Sequence, residues 1–349
     1  MPDDPTRTAS PLAASAPGDA RFLVVRLSSM GDVIHTLPAV HALRRAYPDA
    51  RIDWLIDTRW APLLDGNRDV NEVITFNRRA WSEVIAVIKR LRATRYTCAL
   101  DFQSLYKSAF LAYASAAPRR VGFEASYARE RLAAKLYTEH VTPHGQHKVA
   151  HNLSLVESIG APIDDVQFPL VLNRDAVIHV DRELVNRGLR EFFVLSPGGG
   201  WKSKCWPAER YGALYRELFK RYEWKGVVAF GPGEEEIANV LRRAAGPPEP
   251  ALIPLDIPHL IALLRRARFL VAGDTGPLHL AVAIGTPVIA LYGPTDPARN
   301  GPYSTTDVIL RNAKPDETTY RRGKDYSRSM LAISVEEVMN AIERRLGMR

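Results

Sequence analysis

Short apolar runs alternate with amphipathic stretches along almost the whole chain, and the alternation happens twice. In the first half, "FLVVRL", "RIDWLID", "EVITF", "TCALDF" and "RRVGF" read as strands. Between and after them lie helical patterns through "VHALRRAY", the Trp60–Leu64 segment, Trp81–Arg92, Leu105–Ala116, Tyr127–Tyr137 and Val149–Ile159. Strand following helix following strand is the signature of a parallel sheet covered on both faces. The proline-bearing stretch "GAPIDDVQFPLVLNRD", Gly160 to Asp175, reads as a linker. The alternation then restarts with "FFVLS", Ala208–Tyr222, "GVVAF", Glu234–Ala245, "ALIPL", Pro258–Arg266, "FLVAG", Pro277–Ile284 and "PVIALYG". An α/β chain follows, with two doubly wound parallel-sheet domains at residues 21–170 and 171–330. Two such units can face one another across a cleft, with ligands at the carboxyl ends of their strands. Residues 331–349 hold a last helix, with apolar spacing at Val335, Val338, Met339, Ile342 and Leu346, expected to pack on a domain surface and back onto the N-terminal domain. Residues 1–20, rich in Pro, Ala, Ser and Asp, read as a disordered tail with no secretory signal pattern.

Composition narrows the function classes. The 349 residues suffice for two ordinary cores, and 46% hydrophobic with 25% charged residues suits a soluble globular protein. No apolar run reaches the roughly 18–20 residues of a membrane span. Cys98 and Cys205 lie too far apart in sequence to suggest a disulfide framework or metal spacing, so a reducing cytoplasm is expected. The net charge of +8 fits either solvated helix faces or an anionic partner, such as a phosphorylated sugar-lipid or a membrane surface. Nucleic acid is not expected, because no helix-turn-helix, zinc-finger or RNP-like pattern accompanies the charge.

Four strand-end loops carry the chemistry. "RLSSMGDVIHTLPAV" follows the first strand with one glycine, two serines and Asp32 where a phosphate cradle is common. "SPGGGWKSKCWP" exposes backbone N–H groups beside Lys202 and Lys204; it is either a phosphate loop or a glycine-rich turn with incidental lysines. "GPGEEE" sets acidic residues at a helix start, where they complement the macrodipole or accept from ribose hydroxyls. In "VAGDTGPLHLAVAIGTPVIALYGPTDP", Gly276 and Pro277 open a helix whose first N–H groups form an anion site, with His279 in its first turn. Neither GxGxxG nor GxxxxGK[ST] occurs.

With "DFQSLYKSA" and "RRVGF" followed by "ARE", these motifs occur in the order found in glycosyltransferase family 9. The chain resembles that family, most closely its lipopolysaccharide heptosyltransferases of type I. The resemblance implies a GT-B fold: two Rossmann-like domains, the acceptor in the first and the nucleotide sugar in the second. It implies inverting, metal-independent and cofactor-free transfer of heptose from ADP-heptose to a 3-deoxy-manno-octulosonic acid (Kdo) residue of the lipid A core. It further implies a cytoplasmic enzyme working peripherally at the inner membrane. Asp32 matches the catalytic base, which would take the proton of the attacking hydroxyl; its position also suits N-capping. Gly199, Gly200, Lys204, Glu234, Leu255, Asp274, Thr275, Gly276 and His279 match donor-binding positions. Ser29 and Gln103, in the acceptor-side motifs, are expected to bind the acceptor. The basic residues Arg59, Lys107, Arg119 and Arg120, with Arg129, are candidates to hold an anionic acceptor. Where the family has "DAQGL" this chain has "DFQSL", so Ser104 replaces a glycine. Two other classes stay open: a nucleotide-sugar 2-epimerase-like enzyme, which needs no acceptor, and a catalytically idle carbohydrate-binding protein, which needs no base.

Overall fold

The computed structural model describes residues 20–77 and 81–348, with only the backbone of Trp81 and Ser82; the expected tail lies outside the described residues except for Ala20. The chain divides between Val171 and Leu172 into two compact units.

The first unit contains β1 (Arg21–Val25), α1 (Met30–Ile34), α2 (Leu37–Ala46), β2 (Arg51–Asp57), β3 (Glu72–Phe76) and α3 (Trp81–Thr94). β4 (Cys98–Asp101), α4 (Tyr106–Ala114), β5 (Arg119–Phe123), β6 (Glu139–Val141) and α5 (Lys148–Glu157) complete it. Its strands form one six-stranded sheet in the order β3-β2-β1-β4-β5-β6, every pair parallel. Phe22 to Val25 are all buried, as a central strand covered on both faces requires. On one face Leu23, Val25, Leu55, Ile74, Leu91, Tyr96 and Leu111 pack together. Burial of such side chains stabilises by about 1.5–3 kcal/mol each.

The second unit repeats the plan. Its elements are α6 (Arg174–Asn186), β7 (Phe192–Ser196), α7 (Ala208–Tyr222), β8 (Lys225–Phe230), α8 (Glu235–Ala245), β9 (Ala251–Pro254) and α9 (Ile257–Arg266). β10 (Leu270–Gly273), α10 (Gly276–Ala283), β11 (Val288–Tyr292), α11 (Pro297–Asn300), β12 (Val308–Arg311), α12 (Arg328–Leu331) and α13 (Val335–Arg345) follow. The sheet order is β12-β11-β10-β7-β8-β9, again wholly parallel. Read from β9, it matches the first sheet strand for strand. Both are the doubly wound order in which the chain reverses direction beside its first strand.

Several local expectations need correction. The Tyr127–Tyr137 segment is helical only as a 3-10 turn over Arg131–Leu136, and Trp60–Leu64 lies within another over Thr58–Leu64. α6 begins within the expected linker, capped by the Asn173 side chain, which accepts from the Ala176 N–H at 3.0 Å. The edge strands β6 and β12, of three and four residues, carry too few side chains to show a period. The last helix packs within the second unit. Val338, Met339, Ala341 and Ile342 of α13 complete the second unit's core with Trp206, Tyr215 and Leu291. Trp206 Nε1 donates to the Ile333 carbonyl at 2.9 Å, fixing the approach to α13.

Candidate active site

In a doubly wound sheet, ligands bind beyond the carboxyl ends of the strands where the strand order reverses. In the first unit that point lies between β1 and β4, and in the second between β7 and β10. Three of the four singled-out loops leave those strands, and "GPGEEE" leaves β8, the neighbour of β7.

After β1 the chain enters α1 through a reciprocal cap. Ser29 is the N-cap and Asp32 its partner, so the simple N-capping reading of Asp32 gives way to a capping box. Asp32 Oδ2 accepts from the Ser29 N–H at 3.2 Å and the Ser29 hydroxyl at 3.0 Å. Its Oδ1 lies 3.4 Å from Arg26 Nη2, whose guanidinium is buried. The Asp32 side chain nevertheless keeps 26% of its surface exposed. Burial pushes its pKa up, but Arg26, Lys148, His35 and the Ser29 N–H together hold it well below the usual carboxylate range. The group is an ionised carboxylate, fixed in orientation and open on one side.

The loop after β4 braces the loop after β1. Gln103 Oε1 accepts from the Leu27 N–H at 2.7 Å, and its Nε2 reaches the Ser28 hydroxyl at 3.5 Å. Gln103 is itself held by Asp101, which accepts from the Gln103 and Ser104 N–H groups, the Ser108 hydroxyl and the Tyr137 hydroxyl. Gln103 is therefore buried as a brace. Ser104 has φ +52°, the left-handed region that explains the glycine in the family pattern. Lys107, in the first turn of α4, and Arg59, in the turn after β2, lie at this same carboxyl edge.

Arg119 and Arg120 do not. They begin β5 and pair in register with Cys98 and Ala99, at the amino edge of the sheet. Arg119 forms a two-point pair with Glu139, at 2.6 and 2.8 Å, and Arg120 donates to the Leu136 and Ala117 carbonyls. Both guanidinium groups are committed to holding β5 and its neighbours, so neither belongs to an acceptor set.

In the second unit Asp274, at the end of β10, is only 3% exposed and is surrounded by donors. Lys204 Nζ at 2.5 Å and the Thr295 hydroxyl at 2.8 Å meet Oδ2; Asn300 Nδ2 at 2.7 Å and His279 Nε2 at 3.2 Å meet Oδ1. Burial pushes the Asp274 pKa up, but His279 and Lys204 outweigh it and hold the carboxyl below its ordinary value. Gly273 makes the arrangement possible: a Cβ there would fall 2.7 Å from the Lys204 carbonyl oxygen. His279 Nε2 turns inward to Asp274. Lys204 keeps further N–H donors for a ligand, because its ammonium carries three.

Gly198 to Gly200, Glu234 and Thr275 gather around these groups. A Cβ on Gly198 would collide with the Glu234 carboxylate, whose Oε2 accepts from the Gly231 N–H at 2.9 Å. Gly199 faces Cys205 and Thr275, while Gly200 has open space beside it. Thr275 is the N-cap of α10 and Gly276 its first residue, so the first-turn N–H groups present a positive end. Leu255, just past β9, lies further out and lines a hollow of about 390 Å³ with His179, Pro254, Asp256 and His259. Sequence reading missed Arg26, Lys148, Thr295 and Asn300. Arg26 stood within the quoted first loop, and Thr295 in "GPTDP", but only the folded register shows which carboxylate each meets.

Known proteins share this construction. A glycosyltransferase family 9 structure from Veillonella parvula superposes with TM-score 0.83 at 22% identity, covering 95% of this chain and 98% of that one. The E. coli heptosyltransferase WaaC with ADP-2-deoxy-2-fluoro heptose superposes with TM-score 0.72 at 28% identity, over 93% and 99%. The fold is therefore GT-B. The sequence pattern of Glycosyltransferase family 9 (heptosyltransferase) matches residues 84–328. Lipopolysaccharide heptosyltransferase 1 of Pseudomonas aeruginosa is 30% identical over 311 residues, 84% of each chain. The chain belongs to glycosyltransferase family 9, and it is a glycosyltransferase.

Proposed function

We propose that this enzyme transfers heptose from ADP-heptose, with inversion, to a Kdo residue of the lipid A inner core, working from the cytoplasmic side at the inner membrane. The observation that carries the reading is Asp32, an ionised, oriented and partly open carboxylate at the β1/β4 reversal. A 2-epimerase needs no acceptor base at this loop, and an idle binder needs none anywhere. The relative solved with an ADP-heptose analogue supports the donor.

Each unit then has a role. In the first, the acceptor hydroxyl attacks the anomeric carbon from the face opposite the leaving nucleotide, and Asp32 Oδ1 or Oδ2 takes its proton as the new C–O bond forms. Gln103 and Ser29 act by positioning that carboxylate, while Arg59 and Lys107 offer cations to an acidic acceptor. In the second, the anomeric C–O bond breaks and the diphosphate leaves with the electron pair. Lys204, the Gly199–Gly200 backbone and the α10 N-terminus with Thr275 and Gly276 stabilise that charge. Asp274 and His279 fix Lys204 in place. Glu234 is positioned for ribose hydroxyls and Leu255 for an apolar face of the base.

Purified protein given ADP-heptose should release ADP only when a Kdo-bearing acceptor is present, and NMR of the product should show the inverted anomeric configuration. ADP release independent of acceptor, or a retained configuration, would sink the proposal. Lys204→Ala should weaken ADP binding and lower kcat/KM by roughly 10- to 100-fold; unchanged titration calorimetry and turnover would make the lysine a structural partner of Asp274 alone. Raising salt should increase the acceptor KM more than the donor KM, because exposed cations are screened over about 8–10 Å. Arg59→Ala should reduce that difference, whereas Arg120→Ala should not. Equal salt effects on both substrates would remove Arg59 from the acceptor site.

A further inference from the structure

The solvent-facing side of α4 is aromatic. Tyr106, Phe110 and Tyr113 are 51%, 42% and 53% exposed, and they fall within about 60° of one another on the helix. Apart from Lys107, every other residue of this nine-residue helix is buried, and none is acidic. A surface helix ordinarily turns its polar side outward, and exposed apolar patches mark contact surfaces. The 3-10 turn Arg131–Leu136 extends the patch. Its Ala133 and Ala134 pack with Ala109 of α4, and Leu132 stands 59% exposed.

Cations border the patch on several sides, with Glu124 the acidic neighbour of Arg131 and Lys135. Lys107 lies on α4 itself, and Arg131 and Lys135 are exposed on the adjoining turn. Arg120 lies over the Tyr113 ring, 5.4 Å from its centroid, and Arg92 donates to the Ala114 carbonyl at the helix end. The nearby Glu130 carboxylate is engaged by the Tyr106 N–H at 2.6 Å.

From these observations we propose that the α4 face with Leu132 docks on an anionic phospholipid bilayer. Phe110 enters the acyl boundary, the tyrosines hold their hydroxyls at headgroup level, and Arg131 and Lys135 meet lipid phosphates. The stripe starts at Tyr106, at the same carboxyl edge as Asp32, and runs about 10 Å back along the helix. This deepens the proposed function, on which it rests for its purpose, by naming the surface that brings the chain to a lipid-borne acceptor.

The test is co-sedimentation of the full chain with vesicles of phosphatidylcholine alone or mixed with phosphatidylglycerol, both free of glycolipid. The chain should bind the anionic vesicles at least about 10-fold better, an advantage lost in high salt. Phe110→Ser with Tyr113→Ser should lower partition by roughly 10- to 100-fold while leaving Tm and ADP affinity unchanged. Arg131→Glu with Lys135→Glu should erase the preference for anionic lipid. Equal binding to both vesicles, or wild-type binding by the serine variant, would overturn the inference. So would self-association that the serine substitutions abolish without any vesicle binding, since the face would then belong to a second copy. Transfer to a soluble, deacylated acceptor separates the two proposals. The serine variant should retain it, whereas its absence in the wild type sinks the proposed reaction and leaves the vesicle result standing.

Discussion

Asp32→Asn should lower turnover by roughly 10²–10⁴-fold while leaving ADP affinity nearly unchanged. Asparagine keeps an oxygen to accept from Ser29, so the cap on α1 survives, but it cannot take a proton. The donor groups lie in the other unit, which is why binding of the nucleotide should not follow turnover down. The pH dependence adds a second readout. Arg26, Lys148 and His35 outweigh burial and hold the Asp32 pKa below the usual value of about 4. The base is therefore ionised throughout the neutral range, and its protonation should remove activity only at a pH below that value. Arg26→Gln removes one of the charges that depress the pKa and leaves burial in place. The acid limb of kcat/KM should then move to higher pH. Near-wild-type turnover in Asp32→Asn, measured by ADP release, would exclude the carboxylate as base, and an unmoved acid limb in Arg26→Gln would exclude the arginine's part in tuning it.

The architecture was legible because each central strand is a short, fully buried apolar run, and the loops between strands and helices carry residue types with few structural uses. Asp32 and Lys204 stood out in those loops by residue type, whereas Asp274 entered through the resemblance to glycosyltransferase family 9. Position along the strand was harder to judge. Arg119 and Arg120 open the strand "RRVGF", and the register with Cys98 and Ala99 puts them at the amino edge, away from the ligand-binding ends. The donors around Asp274 come from four places, Lys204, His279, Thr295 and Asn300, so no local spacing reveals that the carboxylate is saturated. α6 was hidden for another reason. Its apolar positions Ala176, Val180 and Leu184 are spaced for a helix, but they directly follow a proline-bearing stretch that reads as a linker.

Asp274 carries the second large effect, and it is on stability as well as binding. Asp274→Ala should destabilise the second domain by about 3 kcal/mol or more, a fall in Tm of roughly 6–12 °C by calorimetry. The reason is not the lost attraction alone. Removing the carboxylate leaves the Lys204 ammonium, the Asn300 amide and the Thr295 hydroxyl each without the partner that repaid its desolvation. Asp274→Ala with Lys204→Ala should therefore cost less than the sum of the two single changes, because the stranded charge is gone. The sign with pH follows from the depressed carboxyl pKa. The stabilisation is complete above the unfolded value of about 4 and declines only as pH falls below it toward the folded value. The gap in Tm between wild type and Asp274→Ala should thus be constant across neutral pH and narrow on acidification. ADP affinity should fall in the single variant too, since Lys204 loses the group that aims it. Additive single and double changes, or a Tm gap that widens in acid, would mean that the four donors are held by the fold without Asp274.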